Sequence, residues 1–319
     1  MNAVNHYDAL VIGAGPAGLT AGIYLSRARV RTLILSEGTV GGQMVLTHAI
    51  ANYPGVESIS GYQLSNIMKK QAKNFGCDIR SNISIKSLDL NDPLKQVILA
   101  DGTVYTADAI ILTPGGRSRT LGVKGEDEFK GRGISYCATC DGDFFTDREI
   151  IVVGGGNSAL EEAVSLTKYA SRVTLVHQFD HFQAFEHAVE EARKNPKISF
   201  LMESAVTAFN GNDKIESVDI KDLKTGKVQN FKTDGAFIFI GYVPNTEFLK
   251  GLVSLNQRGE IIVDGNMLTN IEGVYAAGDS TAKRYRQVTT AVGDGTIAAL
   301  AASAYINDLK VKQKQPAEI

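Results

Sequence analysis

Two cysteines separated by two residues are the sharpest chemical feature of the sequence. Cys137 and Cys140 stand in the run Cys-Ala-Thr-Cys-Asp, and thiols at this spacing can close a small disulfide ring at the start of a helix. The N-terminus of a helix stabilises a thiolate, which lowers the pKa of the thiol and speeds thiol–disulfide exchange. The neighbouring Asp141 could act as a general acid toward a leaving thiolate. The motif therefore predicts a redox-active cysteine pair.

The third cysteine, Cys77, adds no metal site. Zinc would need two further ligands at suitable spacing, and the sequence contains no second Cys-x-x-Cys. We interpret Cys77 as a half-buried small residue and expect no metal. The small number of cysteines, the absence of a signal-peptide pattern near Met1 and the absence of an apolar run of about 18 residues predict a cytoplasmic protein outside the membrane.

The composition excludes several other classes of protein. The 319 residues are 44% hydrophobic and 21% charged, which is the balance of a globular protein with two ordinary domains. Lys and Arg total 33 against 35 Asp and Glu, a formal net charge of −2, so nothing marks a nucleic-acid binder. The 32 glycines often stand in ordered runs, which are typical of backbone that lies close to phosphates.

An internal repeat indicates the elements that must position these residues. Residues 8–19 resemble residues 149–160, because each segment is a short apolar run, a glycine-rich turn and the start of a helical pattern. The order strand, turn, helix, strand therefore occurs twice, and it predicts an α/β fold of two Rossmann-like, three-layer domains. The predicted helices and the apolar runs after them cover 16–29 and 32–35 in one copy and 157–170 and 173–176 in the other.

The second copy of the repeat is expected to be inserted in the first domain. A late strand at 273–279 and a long, Ala-rich helix at 287–305 would complete the first sheet. Segments rich in Gly, Pro or Ser would form the crossovers, at 113–118 and 241–246. We therefore predict one discontinuous domain of residues 1–118 and 244–319 and an inserted domain of residues 119–243.

The first glycine turn has the residues of a dinucleotide site. Gly13 permits the tight turn, Gly15 lets backbone approach a pyrophosphate, and Gly18 allows close packing of the helix. Glu37 follows the second strand, where a carboxylate accepts hydrogen bonds from the ribose hydroxyls of an adenosine. The full context predicts a bound nucleotide.

The second glycine turn lacks the residues that usually read the adenosine. It keeps Gly154 and Gly156, but Gln178 stands at the position that Glu37 has in the first copy. The stretch 177–183 contains no arginine to grip a 2′-phosphate, and its carboxylate, Asp180, lies two residues further on. Two interpretations stay open: a weakened nucleotide site, or a fold that has lost its nucleotide function.

Taken in order along the chain, these motifs resemble the low-molecular-weight thioredoxin reductases. The resemblance covers nearly the whole chain and rests on residues 13–18, 41–43, 52–55, 137–142, 154–159, 276–279 and 286–288. It implies a homodimeric FAD enzyme that passes electrons from the flavin to the cysteine pair and on to the disulfide of thioredoxin. The discontinuous domain would bind FAD, and the inserted, nicotinamide-binding-like domain would carry the cysteines.

The resemblance also implies roles for individual residues. Cys140 would face the flavin, Cys137 would attack thioredoxin, and Asp141 matches the family's acid. Asp279 matches a contact to the ribityl or pyrophosphate region of FAD. The positions that match FAD contacts are Gly13, Gly15, Pro16, Ala17, Glu37, Gly42, Gln43, Asn52, Asp279, Arg286, Gln287 and Val288.

The sequence departs from the family pattern in the inserted domain. Members that use NADPH have His-Arg-Arg and then Phe-Arg-Ala after the second strand, whereas this chain has His177-Gln178-Phe179 and Phe182-Gln183-Ala184. Each lost charge-assisted contact is worth about 1.5–3 kcal/mol, so NADPH is doubtful as a donor. A subgroup that has lost these motifs takes electrons from reduced ferredoxin, and we expect that donor here.

Several alternatives to this expectation stay open. The chain could be an ordinary NAD(P)H-dependent thioredoxin reductase, because Gln178 can still hydrogen-bond the ribose hydroxyls of NADH. It could also be a non-catalytic flavoprotein that senses redox state. A ferredoxin–NADP reductase of the same fold is disfavoured, because those relatives lack the cysteine pair.

Overall fold

The structure is a computed structural model that describes residues 5–47, 50–91 and 93–314. The strands of this described part are β1 (Asn5–Ile12), β2 (Thr32–Ser36), β3 (Asp78–Ser81), β4 (Ile85–Asp89), β5 (Lys95–Leu99), β6 (Val104–Leu112), β7 (Gly116–Ser118), β8 (Ile134–Ser135), β9 (Glu149–Val153), β10 (Arg172–Val176), β11 (Ile198–Leu201), β12 (Ser204–Gly211), β13 (Ile215–Asp222), β14 (Val228–Lys232), β15 (Gly235–Ile238), β16 (Tyr242–Pro244) and β17 (Val274–Ala276). Its α-helices are α1 (Pro16–Arg27), α2 (Gly61–Asn74), α3 (Glu126–Phe129), α4 (Ala138–Asp141), α5 (Asn157–Leu166), α6 (Glu186–Lys194) and α7 (Val288–Lys314). Short 3-10 helices cover Gly42–Leu46, Gly142–Phe145 and Glu247–Leu249.

The first of two compact units consists of Met1–Arg117 and Val243–Ile319 and contains a mixed sheet. The strand order is β3-β2-β1-β6-β5-β4, and β17 pairs with β6. β1 pairs in parallel with β2 and β6, whereas β5 pairs antiparallel with β4 and β6. Central parallel strands are covered on both faces, which is why the apolar run from Ala9 to Ile12 is fully buried.

The two faces of this sheet are covered by different structures. Successive side chains of a strand point to opposite faces. Val11 therefore packs in one core with Leu19 of α1 and Ala298 of α7, while Leu10 packs in a second core with Leu249. Helices cover the first face, and segments that follow the 3-10 helix at 247–249 help to cover the second.

The second unit, Ser118–Tyr242, has three layers. Its central sheet is parallel, in the order β11-β10-β9-β15-β8, and a separate antiparallel sheet has the order β12-β13-β14. Val152 of β9 packs against Leu160 of α5, whereas Val153 packs in a core with Phe209 and Val218 of the antiparallel sheet. Parallel strands flanked by helices in both units confirm the predicted α/β class; the antiparallel layer was not predicted.

The two chain crossings between the units pair with each other. β7 and β16 form a two-stranded sheet. Beside it, the backbone N–H of Asn245 donates to the carbonyl of Gly115 at 2.9 Å, and its Nδ2 donates to the carbonyl of Pro114 at 3.1 Å. Arg117 donates to Oδ1 of Asn245 at 3.1 Å, so this amide fixes the first crossing.

The helices differ from their predicted ends. α1 ends at Arg27 rather than at 29, and Arg29 adopts a left-handed φ of 59°. α7 continues to Lys314 rather than ending at 305, because Ile306 is fully buried and extends the apolar contacts of the helix. No helix in the described ranges is both long and apolar enough to cross a membrane.

Candidate active site

Cys137 and Cys140 form a disulfide bond at the first turn of α4. Their Cα atoms are 5.3 Å apart, and Cys137 is the N-cap residue of the helix. The backbone N–H groups of Cys140 and Asp141 both donate to the carbonyl of Cys137, at 3.3 and 3.2 Å. The disulfide at a helix start, expected from the motif, is therefore present. Cys137 and Cys140 are both only partly buried.

Asp141 is held beside the disulfide by a residue that the sequence reasoning missed. The hydroxyl of Ser135 donates to Oδ2 of Asp141 at 2.5 Å, and the backbone N–H of Cys137 donates to the same hydroxyl at 3.1 Å. Ser135 ends β8 and is 5% exposed. A polar residue at the end of an apolar strand, two positions before the motif, is the signal that could have indicated it.

The residue before the motif is also anchored. The phenol of Tyr136 donates to Oε1 of Glu126 at 2.7 Å. Glu126 is 2% exposed and accepts the backbone N–H groups of Leu121 and Gly122 at 3.0 and 2.7 Å. Burial, and then the nearby Glu126 carboxylate, raise the pKa of the Tyr136 phenol. The start of the disulfide segment is thus tied to the chain that enters the second unit.

A large apolar side chain is exposed just beyond the disulfide. Phe144 lies in the 3-10 helix Gly142–Phe145 and is 56% exposed, while the next residue, Phe145, packs edge-on against Phe237 at 5.1 Å between ring centroids. The surface next to the disulfide therefore offers an aromatic contact. The sequence reasoning did not single out Phe144.

The first glycine turn has an open approach at one position. Gly13 adopts a φ of +108°, and a side chain there would collide with the carbonyl of Thr113. A Cβ on Gly18 would collide with the carbonyl of Gly13, so this glycine brings α1 close to the turn. A Cβ on Gly15, by contrast, would meet nothing within 4 Å. The turn therefore leaves space at Gly15, at the N-terminus of α1, where a phosphate group is favoured.

Other predicted nucleotide-binding residues gather around this turn. A Cβ on Gly42 would lie 3.3 Å from Cα of Gly15, and a Cβ on Gly278 would lie 2.9 Å from Cβ of Ala17. The structure therefore brings the turns at 42 and 278 beside the start of α1, where Pro16 occupies the first helical position. Gln43 is exposed in the 3-10 helix that follows Gly42.

Four further predicted residues, Glu37, Asn52, Gln287 and Val288, lie elsewhere in the same unit. Asn52 donates to Oε1 of Gln287 at 3.3 Å, although the two are 235 residues apart. Val288 begins α7 and packs against the first core. The side chain of Glu37 is exposed at the end of β2, and its Oε1 accepts the backbone N–H of Ile85 at 3.0 Å.

Asp279 carries a buried carboxylate oxygen that lacks a partner. Within the described residues, its Oδ1 has no hydrogen bond, and the nearest ammonium, that of Lys283, is 3.9 Å away. Burial raises the pKa of Asp279, while Lys283 and then Arg286 oppose that rise. An orphaned buried acceptor fits a ligand that supplies a hydroxyl donor.

Two ion pairs brace the turn that holds Asp279. Arg286 donates through Nε to the carbonyl of Asp279 at 3.2 Å and pairs through Nη2 with Glu260. Lys283 pairs with Asp294, which also accepts the backbone N–H of Gly278 at 3.1 Å. Arg286, predicted as a nucleotide contact, thus has a bracing role here, and Lys283, Glu260 and Asp294 were not predicted.

Taken together, these features of the first unit fit a dinucleotide such as FAD. The open position at Gly15 can admit a pyrophosphate, and the orphaned oxygen of Asp279 can accept a hydroxyl of a sugar or polyol chain. Gly278, the neighbour of Asp279 in the chain, lies against Ala17, which follows Gly15 by two residues.

The second glycine turn is packed against its own chain. A Cβ on Gly155 would collide with the ring of His177, which is 5% exposed and stacks on Phe182 at 5.8 Å. The N–H of Gln183 donates to the carbonyl of Gly155 at 2.8 Å, and the N–H of Phe185 donates to Asn157 at 2.7 Å. Burial lowers the pKa of His177, so the neutral ring is favoured in this position.

The side chains at the positions where family members that use NADPH have arginine are uncharged at the second turn. Gln178 and Gln183 are exposed, and Phe179 is 39% exposed. Asp180 is exposed and hydrogen-bonded to the ring of His181 at 2.7 Å. This surface offers no guanidinium for a 2′-phosphate between residues 177 and 183.

Cys77 differs from its predicted half-buried state. It is 4% exposed, in the core of the first unit, and burial raises the pKa of its thiol to about 12. Gly22 makes room for it, because a Cβ there would lie 2.9 Å from Sγ of Cys77. The described residues contain no group of three or more His, Cys, Asp or Glu side chains that could hold a metal ion.

Comparisons with known proteins place the chain in a family. The sequence model described as pyridine nucleotide-disulphide oxidoreductase matches residues 7–295. A thioredoxin reductase of Peptoclostridium acidaminophilum is 45% identical over 309 residues, covering 95% of this chain and 98% of that protein. That of Bacillus subtilis (strain 168) is 43% identical, covering 95% and 96%. The crystal structure of thioredoxin reductase from Streptococcus pyogenes MGAS5005 matches with a TM-score of 0.92 and 40% identity, covering 96% and 100% of the two chains. This chain therefore belongs to the pyridine nucleotide-disulphide oxidoreductase family and is a flavoprotein disulfide oxidoreductase.

Proposed function

We propose that the chain is an FAD-dependent thioredoxin-disulfide reductase that takes its electrons from reduced ferredoxin rather than from NADPH. The observation that carries the proposal is the Cys137–Cys140 disulfide at the start of α4, with the Asp141 carboxylate held beside it. The relatives described above, named thioredoxin reductases, support thioredoxin as the partner.

The first unit would hold FAD. The pyrophosphate would lie at Gly15 and the start of α1, the adenosine ribose at Glu37, and the ribityl chain at Asp279. The remaining predicted contacts are Gly13, Pro16, Ala17, Gly42, Gln43, Asn52, Arg286, Gln287 and Val288. When bound, the flavin can take up electrons singly and deliver two to a disulfide. This property suits a one-electron donor such as ferredoxin.

The cysteines would carry the two electrons to thioredoxin by thiol–disulfide exchange. Reduction of the Cys137–Cys140 bond by two electrons, with uptake of protons, gives two thiols. The Cys137 thiolate then attacks one sulfur of the partner's disulfide, and the electron pair of the broken bond leaves on the other sulfur. Asp141 supplies the proton that this leaving thiolate accepts, which balances the proton that the Cys137 thiol releases to solvent when its thiolate forms. Cys140 finally attacks Cys137, which restores the disulfide and releases the partner as a dithiol.

The surface beside the disulfide suits a protein partner. Phe144 is 56% exposed within four residues of Cys140, and exposed aromatic side chains are enriched where proteins dock. The partly buried disulfide and this ring together give a substrate disulfide a place to approach.

The choice of donor rests on the second unit. The family's NADPH users have arginines where Gln178 and Gln183 stand, and losing such contacts weakens NADPH binding by roughly tenfold or more for each one. NADH has no 2′-phosphate, and Gln178 could still hydrogen-bond its ribose, so NADH is the second candidate donor. Its binding would lack the usual carboxylate.

The donor is tested by an anaerobic comparison. The purified yellow protein is mixed with oxidised thioredoxin and with reduced ferredoxin, NADH or NADPH, and the thiols of thioredoxin are followed. We expect turnover with ferredoxin and little with either nicotinamide; rapid turnover at micromolar NADPH would refute the ferredoxin assignment. Cys137→Ser and Cys140→Ser should each abolish turnover, and activity that survives both would favour a redox-sensing flavoprotein instead.

We also propose that the protein is a homodimer, as the family resemblance implies. The helices α2 and α7 of the first unit carry exposed apolar side chains, which are commonly covered in oligomers: Tyr62, Ile67, Ile297 and Leu300. Light scattering on the eluted protein should give about twice the 34.3 kDa of one chain. A monomeric mass would refute this part of the proposal.

A further inference from the structure

We propose that Ser135 is a positioning residue that orients the Asp141 carboxylate toward the cysteine pair. The proposal rests on the acid role given to Asp141 in the proposed function. No chemistry of its own is assigned to Ser135, which acts through Asp141.

The hydroxyl of Ser135 has one proton and several neighbours. Asp141 Oδ2 lies 2.5 Å from Oγ, whereas the carbonyl of Cys137 lies 3.3 Å from it. A hydroxyl donates one hydrogen bond at a time, and the contact to Asp141 is much the shorter of these two. The proton of Ser135 therefore points to Asp141. A lone pair of Oγ accepts the N–H of Cys137 at 3.1 Å.

This arrangement links the acid to the backbone of one cysteine of the pair. The N–H of Cys137 is fixed by the oxygen whose proton fixes Asp141. With Oδ2 occupied by Ser135, the carboxylate cannot rotate freely about its side-chain bonds. The buried Ser135 hydroxyl therefore helps to set the orientation of the carboxylate relative to the disulfide segment.

Ser135 is itself rigid enough to serve as a reference point. It is 5% exposed, and Ser135 pairs with Phe237 in the parallel register of β8 and β15. The next residue, Tyr136, is anchored by its hydrogen bond to Glu126 at 2.7 Å. Ser135 therefore has fixed backbone on both sides.

Asp141, in contrast, lies on a helix that is too short to be stable by itself. α4 has four residues, and a single helical turn has no stability of its own in water. In the oxidised protein the disulfide adds a covalent link between the N-cap and the third residue of this turn. Reduction removes that link, so the Ser135 hydroxyl becomes a larger part of what holds Asp141 in place. The requirement for Ser135 should therefore appear in reactions of the dithiol form.

The test measures a reaction of the dithiol that needs neither ferredoxin nor thioredoxin. The holoenzyme is reduced anaerobically by dithionite, freed of excess reductant and mixed with 5,5′-dithiobis(2-nitrobenzoate). The thiolate of Cys137 attacks this aromatic disulfide, Cys140 resolves the mixed disulfide, and each step releases one coloured thiolate. That leaving group needs little help from an acid, so the same variants are also mixed with glutathione disulfide, whose leaving thiolate is far more basic.

The variants are Ser135→Ala, Ser135→Thr, Asp141→Asn and the double change S135A/D141N. With glutathione disulfide we expect S135A to react roughly tenfold more slowly than the wild type, which is the loss of one oriented general acid contact of modest strength. S135T keeps the hydroxyl and should restore most of the rate. D141N should be slowest, and S135A should slow it no further, because the residue that Ser135 positions is already disabled. With the aromatic disulfide all four variants should react at nearly the wild-type rate.

The possible failures are distinguishable. If D141N is slow but S135A multiplies that effect in the double variant, Ser135 acts independently of Asp141 and the positioning role is refuted. A slow S135T together with a slow aromatic reaction would mean that the strand end is disturbed, which also refutes it. If D141N itself reacts with glutathione disulfide at the wild-type rate, the acid role in the proposed function fails, and the role of Ser135 fails with it. Reduction of thioredoxin with ferredoxin as the electron donor is measured separately, in the donor comparison described above.

Discussion

The ring of His177 occupies the space in which a side chain on Gly155 would stand. The glycine at position 155 is thus explained by packing within the protein, because any Cβ there would overlap the imidazole. The corresponding position in the first turn is Ala14, which is 2% exposed and tolerates its methyl group. The run of three glycines at 154–156 is therefore weaker evidence for a ligand than its composition suggests.

This relationship predicts a difference between two adjacent glycines. Gly155→Ala should destabilise the protein by about 1–3 kcal/mol, as is usual when a methyl group is forced into a filled space. Gly156→Ala should be nearly neutral, because its φ of −91° suits alanine and the nearest atom to a new Cβ, the carbonyl oxygen of Gln183, is 3.8 Å away. Thermal or urea unfolding of the two variants makes the comparison.

The double variant G155A/H177A tests whether the ring of His177 is what excludes a side chain at position 155. Removing the ring opens the space that the new methyl needs, so the loss of stability should be smaller than the sum of the two single losses. Additive losses, or a G156A variant as unstable as G155A, would mean that backbone conformation rather than the ring of His177 determines the glycine at 155.

A second prediction concerns the partnerless oxygen of Asp279. Asp279→Asn keeps the shape of the side chain but removes the charge, so FAD should bind roughly 10- to 100-fold more weakly, the equivalent of one charge-assisted hydrogen bond. The ratio of flavin to protein after gel filtration and the dissociation constant of FAD measure this. Asp108→Asn is the matched control, because burial also raises the pKa of Asp108, which is not a predicted FAD contact. Equal FAD affinity in D279N and D108N would contradict the assignment.

The same carboxylate gives a pH dependence to the stability of the FAD-free protein. Burial raises the pKa of Asp279 in the folded state above its ordinary value of 3.8, so the folded protein holds this proton more tightly than the unfolded chain. The unfolded state then carries fewer protons than the folded state as the pH rises above about 4, and the free energy of unfolding falls with pH. In D279N, the free energy of unfolding should therefore fall less steeply as the pH rises above about 4. Melting temperatures of the FAD-free wild type and of D279N across the acidic range measure this pH dependence. If the stability of the wild type relative to D279N rises with pH, the prediction is wrong.

The elements that could be predicted from the sequence are those that a local pattern of residues determines. The strand, turn and helix around Gly13 and around Gly154 follow from apolar runs and glycines that are adjacent in the chain, and the α/β class follows from their repetition. The cysteine pair at the start of a short helix is local in the same way. The helix ends were less accurate, because the continuation of α7 past 305 depends on burial of Ile306 against other elements.

The parts that were missed depend on contacts between distant segments. Asn52 and Gln287 were each predicted, but their hydrogen bond joins positions 235 residues apart, and no pattern in a single sequence encodes it. The bracing of Arg286 by Glu260 depends on a turn that the sequence reasoning left undescribed. Ser135 was not predicted, since its importance appears only when the end of β8 lies beside Asp141.

A further prediction concerns the reactivity of Cys77. With its thiol pKa raised to about 12, Cys77 should carry almost no thiolate at neutral pH, and its burial also excludes reagents. Iodoacetamide should therefore leave the native, oxidised protein unmodified, since the other two cysteines are joined. After unfolding without reductant, mass spectrometry should find a label on Cys77. Labelling of Cys77 in the native protein at neutral pH would contradict the burial of its thiol.

The last prediction tests whether the missing arginines determine the donor. The double variant Q178R/Q183R should bind NADPH more tightly than the wild type, by roughly tenfold or more for each guanidinium that reaches the 2′-phosphate. Both glutamines are exposed, so the new side chains should not disturb the fold. NADH affinity should change little, because NADH lacks the phosphate, and Gln229→Arg on β14 supplies the same charge away from the glycine turn as a matched control. Titration of the wild type and both variants with NADPH and with NADH measures the six affinities. If the double variant gains no more than Q229R, the preference against NADPH arises elsewhere in the chain, and if the wild type already binds NADPH as tightly as the variant, the departure at 178 and 183 carries no functional meaning.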